Sequence, residues 1–127
     1  YNVYGLYEDH KADQSSPVFK FLKHARERGV MQVYEQSQNY RRDFVWVEDV
    51  IDCMLSNKPS GIYDVGTCET VSFMEIAKMV QEKIPGSKIE IIPTPDILVD
   101  KMQDFTMARN CFPDHNFTTV KEYLKNV

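Results

Sequence analysis

What this sequence has little of narrows it first. Its longest apolar run is Phe44–Val47, far short of the roughly 20 residues that a membrane-crossing helix needs. The stretch Tyr1–His10 has neither the basic start nor the apolar core of a secretory signal. Positive charge is in deficit: 15 Lys+Arg face 19 Asp+Glu, a net charge of −4. That balance argues against a nucleic-acid binder, which carries a basic stripe. Cysteine is scarce. Cys53, Cys68 and Cys111 are odd in number and widely spaced, with no C-x-x-C and no Cys/His pair. No metal site is expected from them, and a reducing, cytoplasmic compartment is. The five glycines never approach G-x-G-x-x-G or G-x-x-x-x-G-K spacing, so these residues hold no phosphate-cradling loop.

What is present suffices for one globular unit: 127 residues, 43% of them hydrophobic. The chain opens on Tyr1 without an initiator Met, and the expectation is a piece of a longer protein. Residues 1–15 show no helical period and read as irregular. Ser16-Pro17 then opens a helix with Val18, Phe21, Leu22 and Ala25 on one face, and Gly29 closes it. The opposite face, Lys20, Lys23, Arg26 and Arg28, reads as solvated. Met31–Tyr34 and Tyr40–Val47 read as extended. A helix follows with Val47, Val50, Ile51 and Met54 as its apolar face and Glu48 and Asp49 in its first turn. Ile62–Val65 and Lys88–Ile92 are strand candidates. Ser72-x-x-Glu75 and Thr119-x-x-Glu122 are capping boxes, each starting a helix. Residues 96–116 read as irregular. Strands alternating with helices make the fold class α/β.

Two clusters carry chemistry. Tyr7-x-x-x-Lys11 matches the catalytic Tyr-x-x-x-Lys of short-chain dehydrogenases literally. That motif needs a helix to bring both side chains to one face, and no helical pattern covers it. The second cluster, Tyr34–Asp43, is dense in hydrogen-bonding groups and contains Arg41-Arg42, whose planar forks suit diphosphate oxygens. By composition alone it reads first as a polar hairpin loop with surface Arg.

Longer blocks then align. Tyr1-Asn2-Val3-Tyr4-Gly5, Arg42-Asp43-Phe44-Val45-Trp46-Val47-Glu48-Asp49-Val50, Gly61–Gly66 and Ser72-Phe73 resemble, in order, blocks of the extended short-chain dehydrogenase/reductases that act on nucleotide sugars. Glu8-Asp9-His10-Lys11, Tyr34-Glu35-Gln36-Ser37, Pro93-Thr94-Pro95-Asp96 and Asp104-Phe105-Thr106 resemble the subfamily that epimerises ADP-heptose at C6 for lipopolysaccharide precursors. The resemblance implies the C-terminal portion of a Rossmann-type enzyme, residues 1–127 forming one fragment whose N-terminal dinucleotide-binding half is absent. It implies an NADP cofactor, with NAD as the alternative, held mainly by that other half. Substrate would be a nucleotide-diphosphate sugar, most simply ADP-heptose, and a homo-oligomer is an open expectation. Lys11 would be a catalytic acid/base that also lies near the cofactor, and the Val3 backbone would lie near it too. Asn2, Tyr34, Glu35, Gln36, Ser37 and Arg42 would bind substrate. So would Asp13, Lys20 and Met102, standing where the subfamily has Ser, His and Tyr. Oxidation at C6 and return of the hydride to the other face requires proton handling on two sides, for which a Lys beside the usual Tyr is sensible. Without the other half the fragment should not turn over substrate. The alternative reading is a non-catalytic relative that keeps a sugar-nucleotide surface or only its packing core, or another nucleotide-sugar epimerase or dehydratase.

Overall fold

Apolar residues at helical spacing and hydroxyl residues at helix starts set the element order in a computed structural model of residues 1–127. That order is β1 (Asn2–Tyr4), a 3-10 helix (Asp9–Gln14), α1 (Pro17–Arg28), β2 (Val30–Tyr34), β3 (Arg41–Arg42), β4 (Phe44–Trp46), α2 (Val47–Leu55), β5 (Val71–Ser72), α3 (Phe73–Lys83), β6 (Lys88–Ile92), α4 (Asp96–Gln103) and α5 (Val120–Asn126). Ser16 caps α1 by accepting from the Phe19 amide, and Gly29 ends it at φ 70°. Both expected capping boxes form, on α3 and α5. Each such cap contributes about 1 kcal/mol.

Three small sheets result. β1 pairs parallel with β4 (Asn2 opposite Phe44), and β2 parallel with β6 (Val30 opposite Lys88). β3 pairs antiparallel with β5. α1, α3 and α5 close over these strands. Their buried residues, among them Phe21, Leu22, Ile76, Val80 and Leu124, meet Tyr4, Met31, Val33 and Phe44 in one core. Tyr4 contacts Tyr123 edge-on at 5.0 Å between ring centroids. Each large apolar side chain fully buried there is worth about 1.5–3 kcal/mol.

Four expectations are corrected. Residues 1–15 are ordered as β1 and the 3-10 helix, because β1 finds a parallel partner in β4. Tyr40–Val47 is two strands in two different sheets, broken at Asp43, so Tyr34–Asp43 is a crossover and not a hairpin. Ile62–Val65 pairs with no strand. Its one backbone tie to β1's start is the Tyr1 amino group on the Val65 carbonyl at 3.0 Å, and Ile62 is 93% exposed. Residues 96–103 form α4, whose side chains are all at least partly exposed.

α2 forms where expected but turns its apolar face outward. Asp49 and Cys53 are buried, while Met54 and Leu55 are 76% and 80% exposed. Asp49 sets that rotation by accepting from His115 Nε2 and the Thr118 amide, both at 2.9 Å. No helix of the chain is long and apolar enough to cross a membrane.

Candidate functional site

In open α/β sheets, ligands bind beyond the carboxyl ends of parallel strands. Two of the sequence-predicted clusters stand there. β1 runs out at Tyr4 into Gly5 and the 3-10 helix that carries Lys11. β2 runs out at Tyr34 into the turn Glu35–Ser37.

The first cluster is organised by Glu8, a residue to which the sequence analysis gave no role. Its carboxylate is buried and accepts from the Gly5 amide (3.2 Å), the Ser16 amide (2.9 Å), Ser16 Oγ (2.7 Å) and Lys11 Nζ (3.3 Å). Burial alone would push its pKa up. The Ser16 and Gly5 donors, with Lys11, outweigh burial and hold it below the ordinary value. Lys11 is thus oriented by a buried anion while its side chain remains partly open to solvent. Tyr7 is not its catalytic partner. Tyr7 adopts φ 64° outside any helix and is largely exposed, so the Tyr-x-x-x-Lys spacing places no shared face.

The second cluster lines a cleft of about 190 Å³ that brings Lys20 of α1 together with Tyr34 and Ser37. His24, Gln32 and Phe73 share it. The turn is closed by Ser37, whose amide and hydroxyl both donate to the Tyr34 carbonyl. Ser37 is fully buried, so its hydroxyl serves the turn. Gln36 sits at the apex with φ 64°, and Glu35 is exposed. Thr94 donates to the Glu35 carbonyl and bonds Tyr40. Lys20 Nζ donates to the Asp13 carbonyl, so Asp13 meets the cluster through its backbone. His24 is lowered in pKa, first by burial and then by Arg28 and Lys20.

Arg42 extends this arrangement. Its guanidinium lies 5.9 Å from the Phe73 ring and donates to the Met102 and Lys101 carbonyls, each at 3.0 Å. Burial lowers its pKa, with Asp104 opposing. Arg42 and Met102, distant in sequence, therefore meet, with Met102 contributing its backbone.

Asn2 reaches the same region from β1. Its amide and its side-chain Nδ2 donate to the Asp43 carbonyl at 3.0 and 3.3 Å. Val3 lies in the β1–β4 ladder opposite Val45. None of the five glycines forms part of a phosphate-cradling loop at a helix start: Gly29 ends α1, Gly86 follows α3, Gly61 packs against Tyr63 in the loop after α2, and Gly5 and Gly66 pack against Val47 and Asp43. These residues do not fit a dinucleotide pyrophosphate. Asp49, Asp52 and His115 offer ligand atoms within 4.8 Å of one another, but both Asp49 oxygens already accept hydrogen bonds. A larger cleft, about 420 Å³, lies between Leu6, Tyr7, Trp46, Tyr123 and Val127 and contains no sequence-predicted site residue.

No family model matches the chain. The ADP-L-glycero-D-manno-heptose-6-epimerase of Brachyspira hyodysenteriae is 36% identical to it over 112 residues, covering 85% of this chain and 35% of that protein. Among solved structures, the Helicobacter pylori ADP-L-glycero-D-manno-heptose-6-epimerase superposes with a TM-score of 0.78 at 27% identity, over 98% of this chain and 40% of that one. The Thermotoga maritima UDP-glucose 4-epimerase, solved with UDP-glucose, superposes equally well (TM-score 0.78) at 19% identity, over 98% and 41%, a likeness of fold. The chain spans well under half the length of each of these relatives.

Proposed function

Because this chain belongs to the extended short-chain dehydrogenase/reductases that act on nucleotide sugars, with the Rossmann-type α/β fold of their C-terminal portion, we propose that it is the substrate-binding part of an ADP-heptose 6-epimerase. Residues 1–127 act as one unit. A nicotinamide cofactor, NADP in preference to NAD, is held mainly by a preceding dinucleotide-binding half, and the complete enzyme works in the cytoplasm.

The observation that carries this reading is the convergence of Lys20, Tyr34 and Ser37 on one cleft bordered by Phe73, with the Arg42 guanidinium 5.9 Å from that ring and bonded to the Met102 carbonyl. A cleft with an aromatic edge, an ammonium and a guanidinium suits a nucleoside diphosphate. Lys11, aimed by Glu8, is the acid/base on the side of β1.

The test is a titration of the isotope-labelled 127-residue chain with ADP-glucose and, separately, with NADP⁺, followed by amide resonances. ADP-glucose should shift the amides of Tyr34–Ser37 and Arg42, and NADP⁺ should leave the spectrum unchanged. Arg42→Ala should weaken ADP-glucose binding about 10- to 100-fold, the value of one charge-assisted contact. Shifts confined to other surfaces, or none, would end the proposal. In the complete enzyme, Lys11→Met should slow epimerisation about 100-fold or more with substrate affinity kept. Near-normal turnover removes Lys11 from the mechanism.

A further inference from the structure

Asp43 is the most deeply committed charged group of the chain. It is fully buried, with 0% exposure, and makes no ion pair. Four donors satisfy it instead. Thr67 amide and Thr67 Oγ1 meet Oδ1, both at 2.8 Å. The Cys68 and Ala108 amides meet Oδ2, both at 3.0 Å. Gly66 leaves room for it, since a Cβ there would fall 2.7 Å from Oδ2 and 2.6 Å from the Ala108 Cβ. The same residue's carbonyl receives both donors of Asn2. One residue thus joins β1, the loop 66–68 and the segment after α4.

Its neighbour Arg42 faces the other way. Successive residues of an extended chain point to opposite faces, and here Asp43 enters the interior while Arg42 reaches Phe73 and the end of α4. The backbone direction at Arg42 is therefore set by the four hydrogen bonds on the next residue. An amide at this position could not reproduce them, because it offers one oxygen acceptor in place of two and turns donors toward two N–H groups.

We propose that Asp43 is a positioning residue for the nucleotide-sugar site: its buried carboxylate, held by Thr67, Cys68 and Ala108, fixes the aim of Arg42. This rests on the reading that Arg42 binds the diphosphate. Burying a carboxylate without a cation is expensive unless every lone pair is used. A strand needing only shape at this point would be served by an apolar residue.

A double-mutant cycle read by ADP-glucose titration of the 127-residue chain tests it. Asp43→Asn should weaken binding about tenfold in the chain that keeps Arg42, and should have no further effect in the Arg42→Ala background. Equal losses in both backgrounds would mean that Asp43 supports only the fold, and would overturn the proposal. So would unchanged affinity for Asp43→Asn where Arg42→Ala alone weakens binding. If Arg42→Ala itself changes nothing, the diphosphate reading fails, and the positioning role with it. Should Asp43→Asn not fold, Thr67→Val removes one donor from Oδ1 and leaves the carboxylate. It should give the same non-additive pattern at smaller size, and additive losses there overturn the proposal equally.

Discussion

The two sides of this molecule are finished to different degrees. Where α1, α3 and α5 meet β1, β2 and β4, large apolar side chains are buried and every helix start is capped by a side chain. Across α2, residues 62–65 and α4, helices start without a side-chain cap. There Met54, Leu55, Ile62 and Ile97 face solvent. α2 carries as clear an apolar stripe as the buried helices, so patterning alone did not decide burial. A partner surface did, and only the first region finds its partner within these residues.

The largest test of that contrast sets Ile76→Ala against Leu55→Ala. Ile76 is wholly buried, and its truncation should cost about 2–5 kcal/mol in urea unfolding. Leu55→Ala should stay within about 0.5 kcal/mol. Similar losses would erase the distinction between the regions.

Two carboxylates sharpen it. Glu8 lies in the first region with its pKa depressed, so its contribution is fully present above its unfolded value and is lost as pH falls through the lower folded value. Glu8→Gln should cost about 2 kcal/mol near neutrality, where charged hydrogen bonds are lost, and should flatten the acid limb of the stability curve. Asp64 lies in the second region, held down to about 2 by the hydrogen bonds and charge of Arg109. Arg109→Ala should return Asp64 toward its ordinary value, seen by side-chain NMR titration, with the unfolding midpoint in urea nearly unmoved. A large stability loss there would show that the open region is more tightly built than its exposure indicates.

The smallest effect concerns Tyr4, whose buried hydroxyl has no hydrogen-bond partner. Burial, with Asp49 nearby, raises its pKa. Tyr4→Phe should leave stability unchanged or improve it by up to about 1 kcal/mol. A clear loss would reveal a partner for that hydroxyl.

Much of the first region was legible because its signals are local. A Ser three residues before a Glu states its own capping geometry, and i, i+3, i+4 spacing states a buried face. The second region depends on distant groups. Ile62–Val65 has the composition of a strand but no ladder to join. α4 follows Pro93 and Pro95 and buries none of its side chains, and its last carbonyls are bonded by Arg42, about sixty residues earlier. The site divides in the same way. Lys11, Tyr34, Ser37 and Arg42 could be named from short blocks, whereas the carboxylates beside Lys11 and Arg42 could not be given a role. Glu8 stands among Asp9, His10 and Lys11, and only the Gly5 and Ser16 donors select it. Asp43 did leave a trace: a charge interrupting the extended run Tyr40–Val47 is costly unless something inside the fold satisfies it.

Arg42 has one further consequence. Its guanidinium is shared property: the Arg41, Lys101 and Met102 carbonyls take three of its five N–H donors, and Nε–H with the second Nη2–H remain for an anion. Ligand and helix end therefore meet on the same group. Coupling of this kind is reciprocal. Whatever the end of α4 does to anion binding at Arg42, an anion there does to the order of α4 by the same factor. The order of α4 becomes a gauge of occupancy, readable by amide exchange of Asp96–Gln103 without any chemistry taking place.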